Sequence, residues 1–224
     1  MSLVDLESPL HHARRLVLSL GLCLAALAVP AARAETQPVP VAAAVAVVET
    51  LHSALFASMQ AGDVGTRVRA DQLRPVVHAG FDFPTIARVV LGQTWGKLDE
   101  AERQRFLAVF AELSVATYAS RFDSHTDERF VTLGSEPGRR QGEALVRTQL
   151  QRPASGKQPV SLHYLLRSDS DGAWRIVNVV ADGVSDLSLK RTEYATVLRD
   201  ASIADLIARL ESQTQGLLEG KDAE

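Results

Sequence analysis

A single cysteine, Cys23, serves this chain of 224 residues, and it lies inside the apolar run LVLSLGLCLAALAV near the start. Leu22 precedes it where a lipid-attachment signal would place a small residue, so no lipid anchor is read there. Beyond residue 34 there is no thiol at all, which excludes disulfides, thiolate metal sites and cysteine nucleophiles from that part. Such a chain suits an oxidising compartment. Charge of one sign is also scarce: 24 Lys and Arg against 27 Asp and Glu give a formal charge of −3. Nothing in that balance supports nucleic-acid binding or strong attraction to an anionic membrane surface. The apolar run, Leu16 to Val29, falls short of the roughly 20 residues that a membrane-spanning helix needs.

Sequence motifs for chemistry are equally thin. The stretch VVLGQTWGKLDEAERQRF, residues 89–106, has two glycines and a lysine before a helix, as a phosphate loop would. Only three residues separate Gly92 from Gly96, and Leu98 follows Lys97. A Walker loop needs four residues between its glycines and a hydroxyl after its lysine. Beyond residue 34 the histidines are His52, His78, His125 and His163, none in a nucleophile-elbow context or at zinc-binding H-E-x-x-H spacing. No metal site or cofactor is expected. His163 alternates with Leu162 and Tyr164 in an expected strand, and Asp182-Gly183 reads as a turn.

His11, His12, Arg14 and Arg15 precede the apolar run, which closes on Ala32-Arg33-Ala34, a small-x-small cleavage site. The expectation is a secretory signal peptide over residues 1–34, the alternative being an uncleaved anchor. Removing those 34 residues from 224 leaves 190 with a formal charge of about −4, enough for one domain over residues 35–224.

After the linker ETQPVPVAAA, Val41, Val45, Val48, Leu55 and Met59 recur at helical spacing with His52 on the same stripe, as expected of a partly buried, hydrogen-bonded residue. A second helix is expected over Val64–Leu73, with Pro75 breaking it or opening another turn. In GFDFPTIARVVLG, Asp82 can cap a helix, Pro84 suits its first turn and Gly92 can close it. Asp99 and Glu102 have capping-box spacing. The helix they start aligns Phe106, Phe110, Leu113 and Thr117, with Leu107 and Tyr118 beside them.

Past FDSHTDERF the period falls to two. Phe130–Leu133, Ala144–Gln151, Val160–Arg167 and Ala173–Ala181 read as four strands joined by turn-prone segments, an antiparallel meander. Two helices follow: Leu187, Arg191, Tyr194 and Leu198 share a face of the first, and Ser202 caps the second. The pattern gives an α+β fold, a sheet of about four strands with helices on one face. Leu145, Leu150, Leu162, Tyr164, Leu166, Ile176, Val177 and Val179 would meet the helices there. Periodicity leaves open whether that layer is a solid core or encloses an apolar cleft.

The segment FDFPTIARVVLGQTWGKLDEAERQRFLAVFAELSVATYASRF resembles the MlaC, or toluene-tolerance, family of periplasmic lipid-binding proteins. Phe81, Asp82, Phe83, Leu91, Gly92, Trp95, Arg105, Phe106, Phe110, Leu113, Thr117 and Tyr118 stand at the matching positions. VRTQLQRP, PVSLHYLLRS, GAWRIVNVVADGVSDLSLKRTEYATVL and SIADLIARL continue the likeness in order, over about residues 45–212. Phospholipid-carrying members read Gly-Val-Ser-Leu-Val-x-Asn-Tyr-Arg where this chain has Gly183 to Arg191 without the Asn-Tyr pair. That departure is more similar to the branch associated with hopanoid biosynthesis, often labelled HpnM.

The resemblance implies a twisted antiparallel sheet and helices around an apolar cavity that holds lipid chains, with no cofactor and no catalytic residue. It implies a soluble periplasmic protein that exchanges phospholipid or hopanoid with an outer-membrane lipid complex and an inner-membrane ABC transporter. The residues expected to line the pocket are Trp95, Phe106, Phe110, Tyr118, Tyr164, Val177, Val179, Leu187 and Tyr194, with Arg191 at the head group or a partner. The competing expectation is an accessory protein of hopanoid biosynthesis, or an isomerase-like enzyme on the same scaffold, with Asp182 as its carboxylate and Tyr164 as its oxyanion donor.

Overall fold

The computed structural model describes residues 41–220 apart from residue 157. The expected leader, its cleavage site after Ala34 and the start of the linker lie outside the described residues, as does the end of the tail. Helix α1, Val41–Gln60, buries Ala44, Val48, Leu51, His52, Leu55 and Met59 along one stripe, and that stripe lies over the sheet. By length and composition this helix is apolar enough to cross a membrane.

Helix α2 spans Thr66–Gly80, past the expected end at Leu73, and runs through Pro75, where a break or a new helical turn was expected. An interior proline removes a backbone donor and costs about 3 kcal/mol. Leu73 and Val77 flank it and are almost fully buried, each contributing roughly 1.5–3 kcal/mol by leaving water. Arg74 also grips Glu112 through its Nε and Nη2 at 3.0 Å, fastening α2 to the next long helix.

The other helices begin and end where their caps dictate. In α3, Phe83–Leu91, the Asp82 carboxylate accepts from the Thr85 amide at 3.0 Å and Gly92 closes the helix with φ 54°. A short 3₁₀ helix, Gly92–Lys97, leads to α4, Glu100–Arg121. There the Asp99 carboxylate accepts from the Glu102 amide at 2.8 Å, and Glu102 accepts from the Asp99 amide at 2.9 Å. Two orphan amides are satisfied at once. After the sheet come α5, Asp186–Asp200, and α6, Ile203–Leu218, which starts on a second capping box between Ser202 and Asp205. Helix α4 packs between α2 and α6.

The sheet has five antiparallel strands in sequence order: β1 Arg129–Pro137, β2 Glu143–Gln151, β3 Val160–Ser168, β4 Trp174–Ala181 and β5 Val184–Ser185. The fifth, beyond the expected four, is too short to show alternation. It exists because Asp182 and Gly183, with φ of 47° and 82°, turn the chain back on itself. Strand β1 outruns its expected end at Leu133 because a bulge between Thr132 and Gly134 breaks the alternation and leaves Leu133 exposed.

Alternation also corrects one inner-face residue: Ala144 and Val146 are fully buried, so Leu145 stands on the opposite face of β2. Beside β4 the sheet edge is shared. Strand β5 pairs with Val180 and Ala181, while Phe81 bridges Ile176 and the Asp82 amide donates to the Ile176 carbonyl at 3.0 Å. The edge is covered along both halves.

Candidate functional site

A second bulge decides what β4 presents to the helices. Leu166 stands opposite Ile176 and Leu165 opposite Asn178, so Val177 is the extra residue and the inward phase shifts by one. Trp174 and Ile176 are buried before the bulge. Beyond it Val177, Val179 and Ala181 line a cavity of about 380 Å³ between sheet and helices.

Leu150 of β2 and Val160, Leu162 and Tyr164 of β3 extend that wall. Phe110, Leu113 and Tyr118 of α4 face it, with Phe81, Phe83 and Ile86 closing one side. Leu187 and Leu189 of α5 form the remaining side. The Asn178 side-chain Oδ1 accepts from the Ser185 hydroxyl at 3.1 Å and the Leu187 amide at 3.3 Å, fixing the start of α5 against the sheet. Val184 and Leu189 are 51% and 58% exposed, which places an apolar lip on the rim. Arg121, Asp186 and Lys190 also line the cavity and are its charged residues.

Six of the nine residues expected at a pocket come together here: Phe110, Tyr118, Tyr164, Val177, Val179 and Leu187. Phe106 and Tyr194 form a layer behind them. The Phe106 ring stacks on Phe110 at 5.6 Å, and Tyr194 meets both rings edge-on at 6.2 Å. Both are core residues, almost fully buried. Trp95 stands on the 3₁₀ helix, its carbonyl accepting from Arg103 Nε and its ring covered by the Arg103 guanidinium at 5.6 Å. It is not part of the lining. Arg191 is exposed, while Lys190, a step of about 100° around the same helix, reaches the cavity. Alternation from Tyr164 could have found Leu162; Arg121 carried no sequence signal, because nothing local says where α4 ends relative to the sheet.

The Trp174 indole Nε1 is buried without a hydrogen-bond partner among the described residues, whereas the buried His52 is paired. His52 Nε2 lies 3.0 Å from the Tyr164 hydroxyl, and the imidazole stacks on Phe130 with centroids 4.1 Å apart. Burial pushes the His52 imidazole down to about 4 and the Tyr164 phenol well above its ordinary range. His163, on the other face of β3, sits 3.0 Å from the Ser161 hydroxyl. Asp182 is exposed and accepts from the Ser161 amide at 2.8 Å. The two groups expected of an isomerase are therefore apart: Tyr164 faces the cavity and is bonded to His52, whereas Asp182 holds the turn.

A broader, shallower hollow of about 620 Å³ opens near the α1–α2 turn, bordered by Gln60, Asp63, Asp123 and His125. Its buried cation, Arg69, donates to the Ser58 and Gly62 carbonyls and so completes the end of α1. Among the described residues no cluster of three or more His, Cys, Asp or Glu could hold a metal.

A meander covered by helices on one face, with an apolar cavity between the layers, is an arrangement in which an α+β domain can hold an apolar ligand. Residues 47–212 match the MlaC protein family, and the chain belongs to it. The fold is also similar to that of a phospholipid-binding protein from Ralstonia solanacearum solved in complex with a phospholipid. The likeness has a TM-score of 0.65 at 15% identity and covers 79% of this chain and 97% of that one.

Proposed function

We propose that this chain carries lipid through the periplasm, exchanging its cargo with an inner-membrane ABC transport system and an outer-membrane lipid complex. The observation that carries the reading is the cavity lined by Phe110, Leu162, Val177, Val179 and Leu187 and rimmed by Val184 and Leu189. Membership of the MlaC family and the expected leader ending at Ala34 support it. Hydrocarbon exposed to water costs roughly 0.8 kcal/mol per CH₂, so a lipid crosses an aqueous gap quickly only under cover. A carrier requires no reacting group. It requires a dry wall for the tail, an opening for the head group and a rim that can meet donor and acceptor.

A phospholipid is the first candidate cargo, as in the Ralstonia relative. The segment Gly183–Arg191, without its Asn-Tyr pair, favours a hopanoid as the second. Mass spectrometry of organic extracts from protein purified without detergent tests carriage and names the class. A stoichiometric lipid supports the reading; a folded protein that co-purifies with none overturns it.

A further inference from the structure

A cavity of about 380 Å³ has room for roughly a dozen groups of methylene size, at about the 30 Å³ that a water takes in the liquid. Two long acyl chains carry more than that, so a wall has to move when such a cargo enters. Three of the walls are poorly suited to movement. Leu162 and Tyr164 belong to a strand laddered on both sides, Phe110 and Leu113 are almost fully buried on α4, and Phe81 is bridged to Ile176 of β4.

The fourth wall differs. Val184, Leu187, Leu189 and Lys190 line the cavity, yet no residue from 181 to 193 is buried. Tyr194 is the one buried residue of α5, packed edge-on against Phe106 and Phe110. At the other end Asp182 is clamped to β3: its amide donates to the Ser161 carbonyl at 2.9 Å, and its carboxylate accepts from the Ser161 amide. Between these two anchors the polar contacts are largely internal. Ser185 accepts from the Ser188 amide, and Lys190 pairs with Asp186. Apart from the two-residue pairing of β5, the hydrogen bonds that tie this segment to the rest of the described residues end on one atom, Asn178 Oδ1.

A stretch with so little buried surface opens locally at low cost in free energy. Gly183, with φ 82°, gives the chain a flexible joint next to the Asp182 clamp. A side chain that holds two donors at the start of α5 therefore governs how often this wall swings away.

We propose that residues 183–193 form a gate over the cavity and that Asn178 is the positioning residue that holds it shut. The inference rests on the lipid-carrier reading and says how the cargo enters.

Hydrogen exchange of the lipid-free protein tests the gate without any cargo. The amides of residues 184–190 should exchange faster than those of α4, and Asn178→Ala should speed them about tenfold further, as for two lost hydrogen bonds of modest net strength. Uptake of a pyrene-labelled phosphatidylcholine from dioleoylphosphatidylcholine vesicles, and its release to unlabelled ones, tests the consequence. Asn178→Ala should take up and release lipid about tenfold faster than the wild type, because a gate alters entry and exit alike. Asn178→Asp keeps an acceptor beside a helix N-terminus and should stay as slow as the wild type. Faster exchange throughout α4 in Asn178→Ala would mean a general weakening of the fold and overturn the role of Asn178. Residues 184–190 exchanging as slowly as α4, or uptake indifferent to Asn178→Ala, overturns the gate while leaving carriage intact. No uptake by any of the three proteins overturns carriage and the gate together.

Discussion

The Tyr164 hydroxyl meets His52 Nε2 at 3.0 Å, joining β3 to α1 between residues 112 positions apart. Both side chains are almost fully buried, so neither polar atom has water as an alternative partner. Tyr164→Phe should lower stability by about 1–3 kcal/mol, because the imidazole nitrogen is left unsatisfied. Thermal unfolding monitored by circular dichroism checks it; an unchanged midpoint would show that the pair contributes nothing.

The same histidine makes stability depend on pH. The unfolded chain binds a proton at His52 below about 6.5 and the folded chain only below about 4, so stability falls as pH drops through this window. The slope should approach 1.4 kcal/mol per pH unit for one proton and level off below the folded value. Denaturant titrations between pH 4 and 7.5 should show that slope in the wild type and lose it in His52→Gln, as a difference between the two curves.

Filling the cavity separates cargo from fold. Val179 is only partly buried and faces the cavity from beyond the β4 bulge. Val179→Trp should place an indole where the chains would lie and reduce co-purifying lipid severalfold, at a stability cost of about 1–3 kcal/mol from overpacking. Lipid quantification on the folded variant decides; undiminished lipid would mean that the chains lie elsewhere.

Asp182 distinguishes carriage from catalysis. Its carboxylate accepts from the Ser161 amide, at the surface and outside the cavity. Asp182→Asn keeps an acceptor oxygen and a residue tolerant of positive φ, so stability should change by less than about 1 kcal/mol. Lipid loading, measured by extraction, should be unaltered. A lipid product that disappears in this variant would favour the isomerase reading instead.

Local chemistry made much of this fold legible. Asp82, Asp99 and Ser202 announce helix starts by supplying oxygens to orphan amides, and each cap is present in the structure. Period-two segments reported the four long strands for the same reason: side chains alternate across a pleat. Pro75 misled because burial of Leu73 and Val77 offsets what the missing donor costs, and that burial depends on partners distant in sequence.

The cavity was legible as a stripe of apolar residues and not as a hollow. Phe106 and Phe110 share a helix face, yet Phe110 meets the cavity and Phe106 packs against Tyr194 behind it. Which of them faces open space depends on the angle at which α4 crosses the sheet and on the one-residue phase shift that Val177 introduces into β4. The sequence by itself determined where elements begin, which faces are apolar and that thiol chemistry beyond residue 34 is excluded, since these follow from spacing and residue type. Tertiary structure alone decided that Arg121 and Lys190 line the same cavity. They lie on different helices, and only the assembled fold brings those helices to one cavity.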